Sequence, residues 1–459
     1  RREKAVRALV YSSQHANKKA LLKLSCETIK YFSVIHEILD DEEVSSLLEE
    51  RAVDRDVHYA AVLIYELLLG RGVAGAARGA KTALLRLDAA IRRKEKELAG
   101  LGRGLDSITH EKLQRDKAQQ LPRYARINTL KWTEEEALKS LVEENWKLTS
   151  VADVERYSDV VSSLKYDEVL RDPHVSCLLI FPHDPNFHSY WMVEQRFLIL
   201  QDKASCLPAF LLNPPKGAQV VDACAAPGMK TSHLAAILGN TGRVLAMDRS
   251  AERVHTMNDL LEASGAENVE VICGDFLRVD VTDKYYSKVE YALVDPPCSG
   301  SGIVKRLSEW MDTEADESRL QKLAKLQAML LKHALRLPSL KRLVYSTCSI
   351  HETENEGVVE EALRDVPCFR LVQGVLPEWK ERGHESFPFS ASCLRASPNI
   401  TLTNGFFVAV FERVEEEKDE EPEGDKKRKK KRTITTEGEE SATRNHRKKK
   451  RTRKDTDQE

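Results

Sequence analysis

From residue 1 to about Gly102 apolar residues recur every three or four positions, as in H-Y-A-A-V-L-I-Y-E-L-L-L-G at 58–70, which ends on glycine. That period predicts amphipathic helices and an N-terminal helical domain over 1–102. Residues 103–120 are polar and aperiodic and predict a linker. Between 121 and 200 short strand-like and helix-like pieces alternate, including R-Y-A-R-I-N-T-L-K-W at 123–132, which predicts a small α+β domain. From Gln201 the pattern changes again. V-V-D-A-C at 220–224, R-V-L-A-M-D at 243–248, V-E-V-I-C-G-D at 269–275, Y-A-L-V-D at 291–295 and R-L-V-Y-S-T at 342–347 are short apolar runs, each followed by a helical period. The alternation predicts an α/β domain over 201–413, a Rossmann-like parallel sheet with helices on both faces. G-F-F-V-A-V-F at 405–411 and F-R-L-V at 369–372 are expected to pair as its antiparallel edge.

Charge adds a fifth segment. Over 414–459 the chain turns acidic and then basic, with K-K-R-K-K-K-R at 426–432 and R-K-K-K-R-T-R-K at 447–454. Almost free of apolar residues, this tail cannot offset the entropy of folding and is expected to be disordered. Its dense basic runs read as a nuclear or nucleolar address and an RNA-attracting arm. The chain as a whole carries a net charge of only -2, so it is no polycation, and its 41% hydrophobic residues suffice for a sizeable core. No long charge-free apolar run is present, so no membrane partner is expected. The start lacks the apolar stretch of a secretory signal, and lacks an initiator Met, so a truncated front is expected. The nine cysteines are scattered without C-x-x-C pairs, which argues against a disulfide framework or a metal site and for a reducing compartment.

Two sets of residues carry candidate chemistry. The first predicted strand of the α/β domain runs into D-A-C-A-A-P-G-M-K-T at 222–231, a tight turn opening onto a helix. Small residues at Ala225, Ala226 and Gly228 let a ligand approach the backbone, where a helix N-terminus offers free N–H groups. Asp248 follows Gly228 by twenty residues, at an expected solvent-facing strand end, and Asp275 ends the next strand. With Asp222 they are expected to point into one crevice at the carboxyl ends of the strands. The loop is neither G-x-G-x-x-G nor a P-loop. Acids without a phosphate clamp suit an adenosine that carries a cation, which describes S-adenosylmethionine.

The second set is a pair of thiols. D-P-P-C-S-G-S-G at 295–302 and Y-S-T-C-S at 345–349 close two strands that should be neighbours, placing Cys298 and Cys348 in the crevice with Asp295. Carbon 5 of cytosine is a poor nucleophile until a thiolate adds at carbon 6, and the carbon-5 proton must then leave before the thiol is eliminated. A nucleophilic Cys, an acid at the ring's N3 or amino edge and a second group for proton removal or release form the set such chemistry needs. Cys26, Cys177, Cys273, Cys368 and Cys393 read as inert, buried small hydrophobes, and Cys224 as a packing residue of the loop.

These motifs, with R-I-N-T-L-K, Q-D-K-A-S at 201–205 and R-A-S-P…N-G-F-F-V-A at 395–409, resemble the NSUN/RsmB family of RNA cytosine-C5 methyltransferases over 121–413. V-Y-S-S at 10–13, C-E-T at 26–28 and Y-E-L-L-L-G at 65–70 resemble its branch acting on large-subunit rRNA. The resemblance implies that Cys348 is the nucleophile and that Cys298 assists release. It implies a cofactor site built from Cys224, Ala225, Ala226, Pro227, Gly228, Met229 and Lys230, completed by Asp248, Arg253, Asp275 and Asp295. Met229 departs from the family's second Gly and leaves the backbone angle there open, while Pro296 replaces a common Ala. The partner implied is rRNA, its target base single-stranded or extruded. Arg123, Tyr124, Arg126, Lys131 and Trp132 either contact RNA or form a mixed domain surface. The alternatives are a DNA cytosine methyltransferase with Cys298 as nucleophile and a catalytically silent assembly factor that binds RNA.

Overall fold

The computed structural model describes residues 6, 9–10, 13–107, 121–150, 157–183, 187, 190–304 and 317–414. The tail and most of the expected linker lie outside the described residues. Among these residues no helix is long and apolar enough to cross a membrane.

The N-terminal segment is helical, with helices Lys18–Lys30, Phe32–Leu39, Val57–Leu68, Arg78–Arg86 and Asp88–Gly100. Ile35, Ile38, Ile64, Leu84 and Ile91 bury their side chains completely in a core of the segment's own. Asp56 fixes one start by accepting from the amides of His58 and Tyr59. Leu105, placed in the linker by its polar neighbours, is buried in this core.

The small domain is a five-stranded sheet of β1 (Arg123–Ile127), β2 (Lys147–Thr149), β3 (Glu168–Arg171), β4 (Leu178–Phe181) and β5 (Leu198–Leu200), in the order β2-β3-β4-β1-β5. Along β4, Leu179 and Phe181 face a core closed by Ala137 and Leu141 of the helix Glu134–Glu143. Leu178 and Ile180 point the other way, into a cluster shared with Val220, Val244 and Val344 of the large sheet. The period of two therefore welds the small sheet to the large one.

The large sheet contains β6 (Gln219–Asp222), β7 (Arg243–Asp248), β8 (Val269–Cys273), β9 (Tyr291–Val294), β10 (Arg342–Thr347), β11 (Phe369–Leu371), β12 (Cys393–Ala396) and β13 (Phe406–Arg413). Its order is β11-β13-β10-β9-β6-β7-β8, with β12 also on β13. β10, β9, β6, β7 and β8 are parallel, and β13 is antiparallel to its neighbours. Alternate residues bury on opposite faces, Val220 and Val244 against the helices Lys203–Leu212 and Met229–Leu238, Val221 and Leu245 against Glu317–Leu335 and Glu356–Asp365. Burial on both faces is why these strands read as unbroken apolar runs. The two segments expected to pair do so, β11 antiparallel to β13 at this end of the sheet. β13 lies inside the sheet between β10 and β11, and β12, too short to stand out in the sequence, caps the arrangement. Strand order reverses at β6, so a crevice opens beyond the carboxyl ends of β6 and β9.

Candidate active site

The loop after β6 crosses this crevice. Gly228 carries a φ of 100° at the helix start, and a Cβ there would come within 3.0 Å of Met257 Cγ. The left-handed angle falls on Gly228, so Met229 begins the helix without strain. Asp222 does not reach the crevice. It is buried beneath the loop, where Thr231 donates to its Oδ2 at 2.8 Å. Burial raises its pKa to about 7 against the opposing hydrogen bond. A pKa raised on folding adds stability that is fully present below about pH 4 and lost as pH rises through 7. Asp222→Asn keeps an acceptor for Thr231 and removes the titration. Its melting temperature is expected to gain on the wild type between pH 5 and pH 8. A constant difference between the two melting curves across that range would refute the buried neutral acid.

Beside the loop a pocket is lined by Ala223, Cys224, Asp248, Arg253, Asp275 and Phe276, and roofed by Pro297, Leu326 and Leu330. Of the residues expected to bind a cofactor, Cys224, Asp248, Arg253 and Asp275 line it. Ala225, Ala226, Pro227, Gly228, Met229 and Lys230 shape the loop without lining it. Asp248 is not solvent-facing. It is 4% exposed, pairs with Arg253 Nη1 at 3.0 Å and accepts from the Ser250 amide at 3.0 Å. Arg253 also donates to the Ala226 carbonyl and so ties the loop to β7. Asp275 accepts from the Leu277 amide at 3.1 Å, capping a short turn. A lining that combines carboxylates with apolar side chains suits a ribose and a purine.

The thiols meet where β9 and β10 end. Cys298 Sγ and Cys348 Sγ are 3.1 Å apart, both partly buried. The hydrogen bond to Cys348 and then burial push the Cys298 thiol well above its ordinary range. The two thiols share one hydrogen bond in which either can donate, and whichever keeps the proton supports a thiolate on the other. Asp295 accepts from Lys230 Nζ at 2.9 Å and from Ser346 Oγ at 2.7 Å. Burial works against the charge of Lys230, and the adjacent Asp295 outweighs it, with Cys348 adding to the effect, so the ammonium's pKa is raised. Cys298, Cys348, Asp295 and Lys230 thus form one cluster next to the acid-lined pocket.

Other expectations change. Arg126 is fully buried, donating to Gln201 Oε1 at 3.1 Å and Ser232 Oγ at 2.9 Å. Tyr124 is buried against Tyr157, and Trp132 packs on Phe197 with centroids 4.8 Å apart. Lys131 bonds the Gln195 carbonyl. The cation–aromatic mixture is largely domain packing, because β1 has both faces covered. Arg123 remains exposed and lines a cavity of about 320 Å³ with Gln201, Asp202, Val304 and Asn404. The cavity's lining residues Val304 and Asn404 follow and precede a backbone link to the Cys348 loop, in which the Gly302 amide donates to the Cys348 carbonyl and the Gly405 amide to the Gly302 carbonyl. Cys273 and Cys368 are exposed, not buried; Cys26 and Cys177 are half-buried and Cys393 is buried. Sequence reasoning passed over E-N-E at 354–356, which is fully buried, with Glu354 bonded to Ser299 next to Cys298 and Asn355 to Thr347 next to Cys348. No signal in the sequence marks them, since three polar residues also suit an exposed strand–helix connection.

Three family models match the chain. The model described as 16S rRNA methyltransferase RsmB/F covers residues 209–412. The ferredoxin-like and N-terminal domains of NOL1/NOP2/Sun domain family member 5 cover 121–201 and 19–98. The chain is 54% identical to a 26S rRNA (cytosine-C(5))-methyltransferase of Caenorhabditis elegans, over 90% of this chain and 95% of that protein. It is 43% identical to a 28S rRNA (cytosine-C(5))-methyltransferase of Mus musculus, over 90% of this chain and 88% of that protein. A solved methyltransferase homologue from Pyrococcus horikoshii aligns at a TM-score of 0.51 and 25% identity, covering 72% of this chain and 97% of that one.

Proposed function

We propose, because the chain belongs to the NOL1/NOP2/Sun domain family of RsmB/F-type rRNA methyltransferases, that it methylates carbon 5 of a cytosine in large-subunit rRNA using S-adenosylmethionine. The observation that carries this reading is the pair of thiols 3.1 Å apart beside Asp295. A single cysteine suffices to attack a pyrimidine. Two in contact suit a reaction in which one thiol adds and the other serves the departure.

The chain's own groups divide the work. The Cys348 thiolate adds to carbon 6 of the base and forms an S–C bond, with the electron pair of the ring double bond pushed toward carbon 5 and the N3 edge. Asp295, oriented by Ser346, faces that edge, and the Lys230 ammonium lies beside the charge that develops. S-adenosylmethionine, when bound, supplies the electrophilic methyl. Asp248 holds the ribose side of its pocket, with Arg253 fixing the carboxylate, and Asp275 lies across the same pocket. After methylation the carbon-5 proton passes to solvent, its C–H electron pair re-forms the ring double bond, and the S–C6 bond breaks with its pair left on the Cys348 sulfur. Cys298, within hydrogen-bond reach of the Cys348 sulfur, serves this release. The cavity lined by Arg123 offers room for part of an unpaired strand.

Transfer of a radiolabelled methyl group to large-subunit rRNA, compared with DNA of the same sequence, tests the reading. Label on C5 of an RNA cytosine is expected. Label on DNA alone, or on neither polymer, would overturn it. Cofactor placement has its own check. At about 100 times Kd a ligand that binds only the native state adds about 2.7 kcal/mol of stability. The melting temperature of the wild type is expected to rise with S-adenosylmethionine, and Asp248→Ala to lose most of that rise. Because Asp248 is buried and paired, the variant's baseline should fall as well. A full ligand-induced rise in the variant would remove Asp248 from the site.

A further inference from the structure

β9 pairs with β10 only as far as Val294 and Tyr345, and β10 leaves β13 at Thr347. Cys298 and Cys348 therefore lie beyond the last ladder contacts, in loops whose positions the sheet does not fix. Immediately downstream, Glu354 and Asn355 are both completely buried. A buried carboxylate or carboxamide is costly unless its hydrogen bonds are made. Here those bonds divide cleanly between the two thiol loops. Glu354 Oε1 accepts from the Ser299 amide at 2.9 Å, and Oε2 accepts from Ser299 Oγ at 2.6 Å. Gln327 Nε2 donates to Glu354 Oε1 and to the Pro297 carbonyl, each at 2.9 Å. Both neighbours of Cys298 are thus tied to Glu354. Asn355 Oδ1 accepts from Thr347 Oγ1 at 2.5 Å, and Asn355 Nδ2 donates to the Ser349 carbonyl at 2.9 Å. Both neighbours of Cys348 are tied to Asn355. The Tyr345 hydroxyl, donating to the Glu354 carbonyl at 2.6 Å, anchors the pair to β10.

We propose that Glu354 and Asn355 are the positioning residues of the two thiols, Glu354 holding Cys298 and Asn355 holding Cys348 as two arms of one clamp. The proposal rests on the reading of Cys348 as attacking thiol and Cys298 as releasing thiol. Neither clamp residue touches the base. Because the two are consecutive in the chain, they also fix the distance between the loops, and with it the contact between the sulfurs. Displacing a reacting group by about 1 Å costs on the order of 100-fold in rate. The arms therefore have opposite signatures on one observable, the covalent protein–RNA adduct.

The experiment uses the full chain, S-adenosylmethionine and large-subunit rRNA, and follows turnover together with denaturant-resistant adduct. Glu354→Ala is expected to slow turnover about 10- to 100-fold while adduct accumulates above the wild-type level, since attack proceeds and release stalls. Asn355→Ala is expected to lower turnover and adduct together by a similar factor. Glu354→Gln, which keeps an acceptor for the Ser299 amide and can donate to Ser299 Oγ, should restore most of the release. Retention of the cofactor-induced rise in melting temperature shows that a variant is folded. Should either alanine variant fail that check, Glu354→Asp and Asn355→Ser replace it with the same opposite signs at smaller size. Parallel loss of adduct and turnover in both variants, or turnover within two-fold of wild type in both, overturns the clamp. A wild-type protein that never methylates rRNA overturns the functional reading instead.

Discussion

Cys348→Ala is expected to lose methyl transfer by a factor on the order of 10⁴ or more and to form no covalent adduct with RNA. Cys298→Ala is expected to attack and methylate once, then stall with the RNA attached. The asymmetry follows from the contact between the two sulfurs. Either thiol can donate in that contact, so the charge lying next to it decides which sulfur carries the thiolate. Cys348 lies beside Lys230, whose ammonium favours a thiolate there. A denaturing gel of each variant with large-subunit rRNA and S-adenosylmethionine reads the outcome directly. A shifted band from Cys348→Ala and none from Cys298→Ala would reverse the two roles and put the attack on the thiol that follows the proline pair. Two thiols at neighbouring strand ends are equally close to a base in the crevice, so only their protonation and surroundings separate them.

Asp295→Asn should be the next most damaging change, lowering turnover by about 10²- to 10⁴-fold. The carboxylate joins Ser346 to Lys230 in the thiol cluster, where the proposed reaction puts an acid at the ring edge. Asparagine keeps a hydrogen-bond acceptor for Ser346 and loses the charge opposite Lys230. The ammonium is then left half-compensated in a site where burial already opposes it. The cofactor-induced rise in melting temperature should survive, because the acid-lined pocket is built by Asp248 and Asp275 and does not include Asp295. Single-turnover measurements of methyl transfer provide the test. Chemistry within ten-fold of wild type would demote Asp295 to a support for the loop. Loss of the cofactor response would instead return it to the cofactor site, where the family resemblance also placed it.

The order of strands and helices was legible because it depends on short-range pattern alone. β7 and β10 have the bounds their apolar runs predict, since strands buried on both faces admit few polar residues. That pattern, with the rule that parallel strands gather their carboxyl ends at one crevice, was enough to bring Cys298 and Cys348 together across 50 residues of chain. The same rule misplaced Asp222, because it says where a strand ends and not which way the last side chain turns. Asp222 points beneath the loop to Thr231, and Asp248 points into the pocket.

The sequence by itself thus determined the sheet, the loop and the residues able to do the chemistry, all of them consequences of apolar period and of motifs a few residues long. What only the tertiary structure decided was the fate of polar side chains. Arg126 read as either an RNA contact or a surface residue, and its guanidinium is instead taken into the core by Ser232, 106 positions away. Glu354 and Asn355, which no motif singled out, are buried against Ser299 and Thr347. A polar residue is buried only when a partner satisfies it. Its partner is fixed by packing across the whole fold, so nothing in its immediate neighbours along the chain reveals which way it turns.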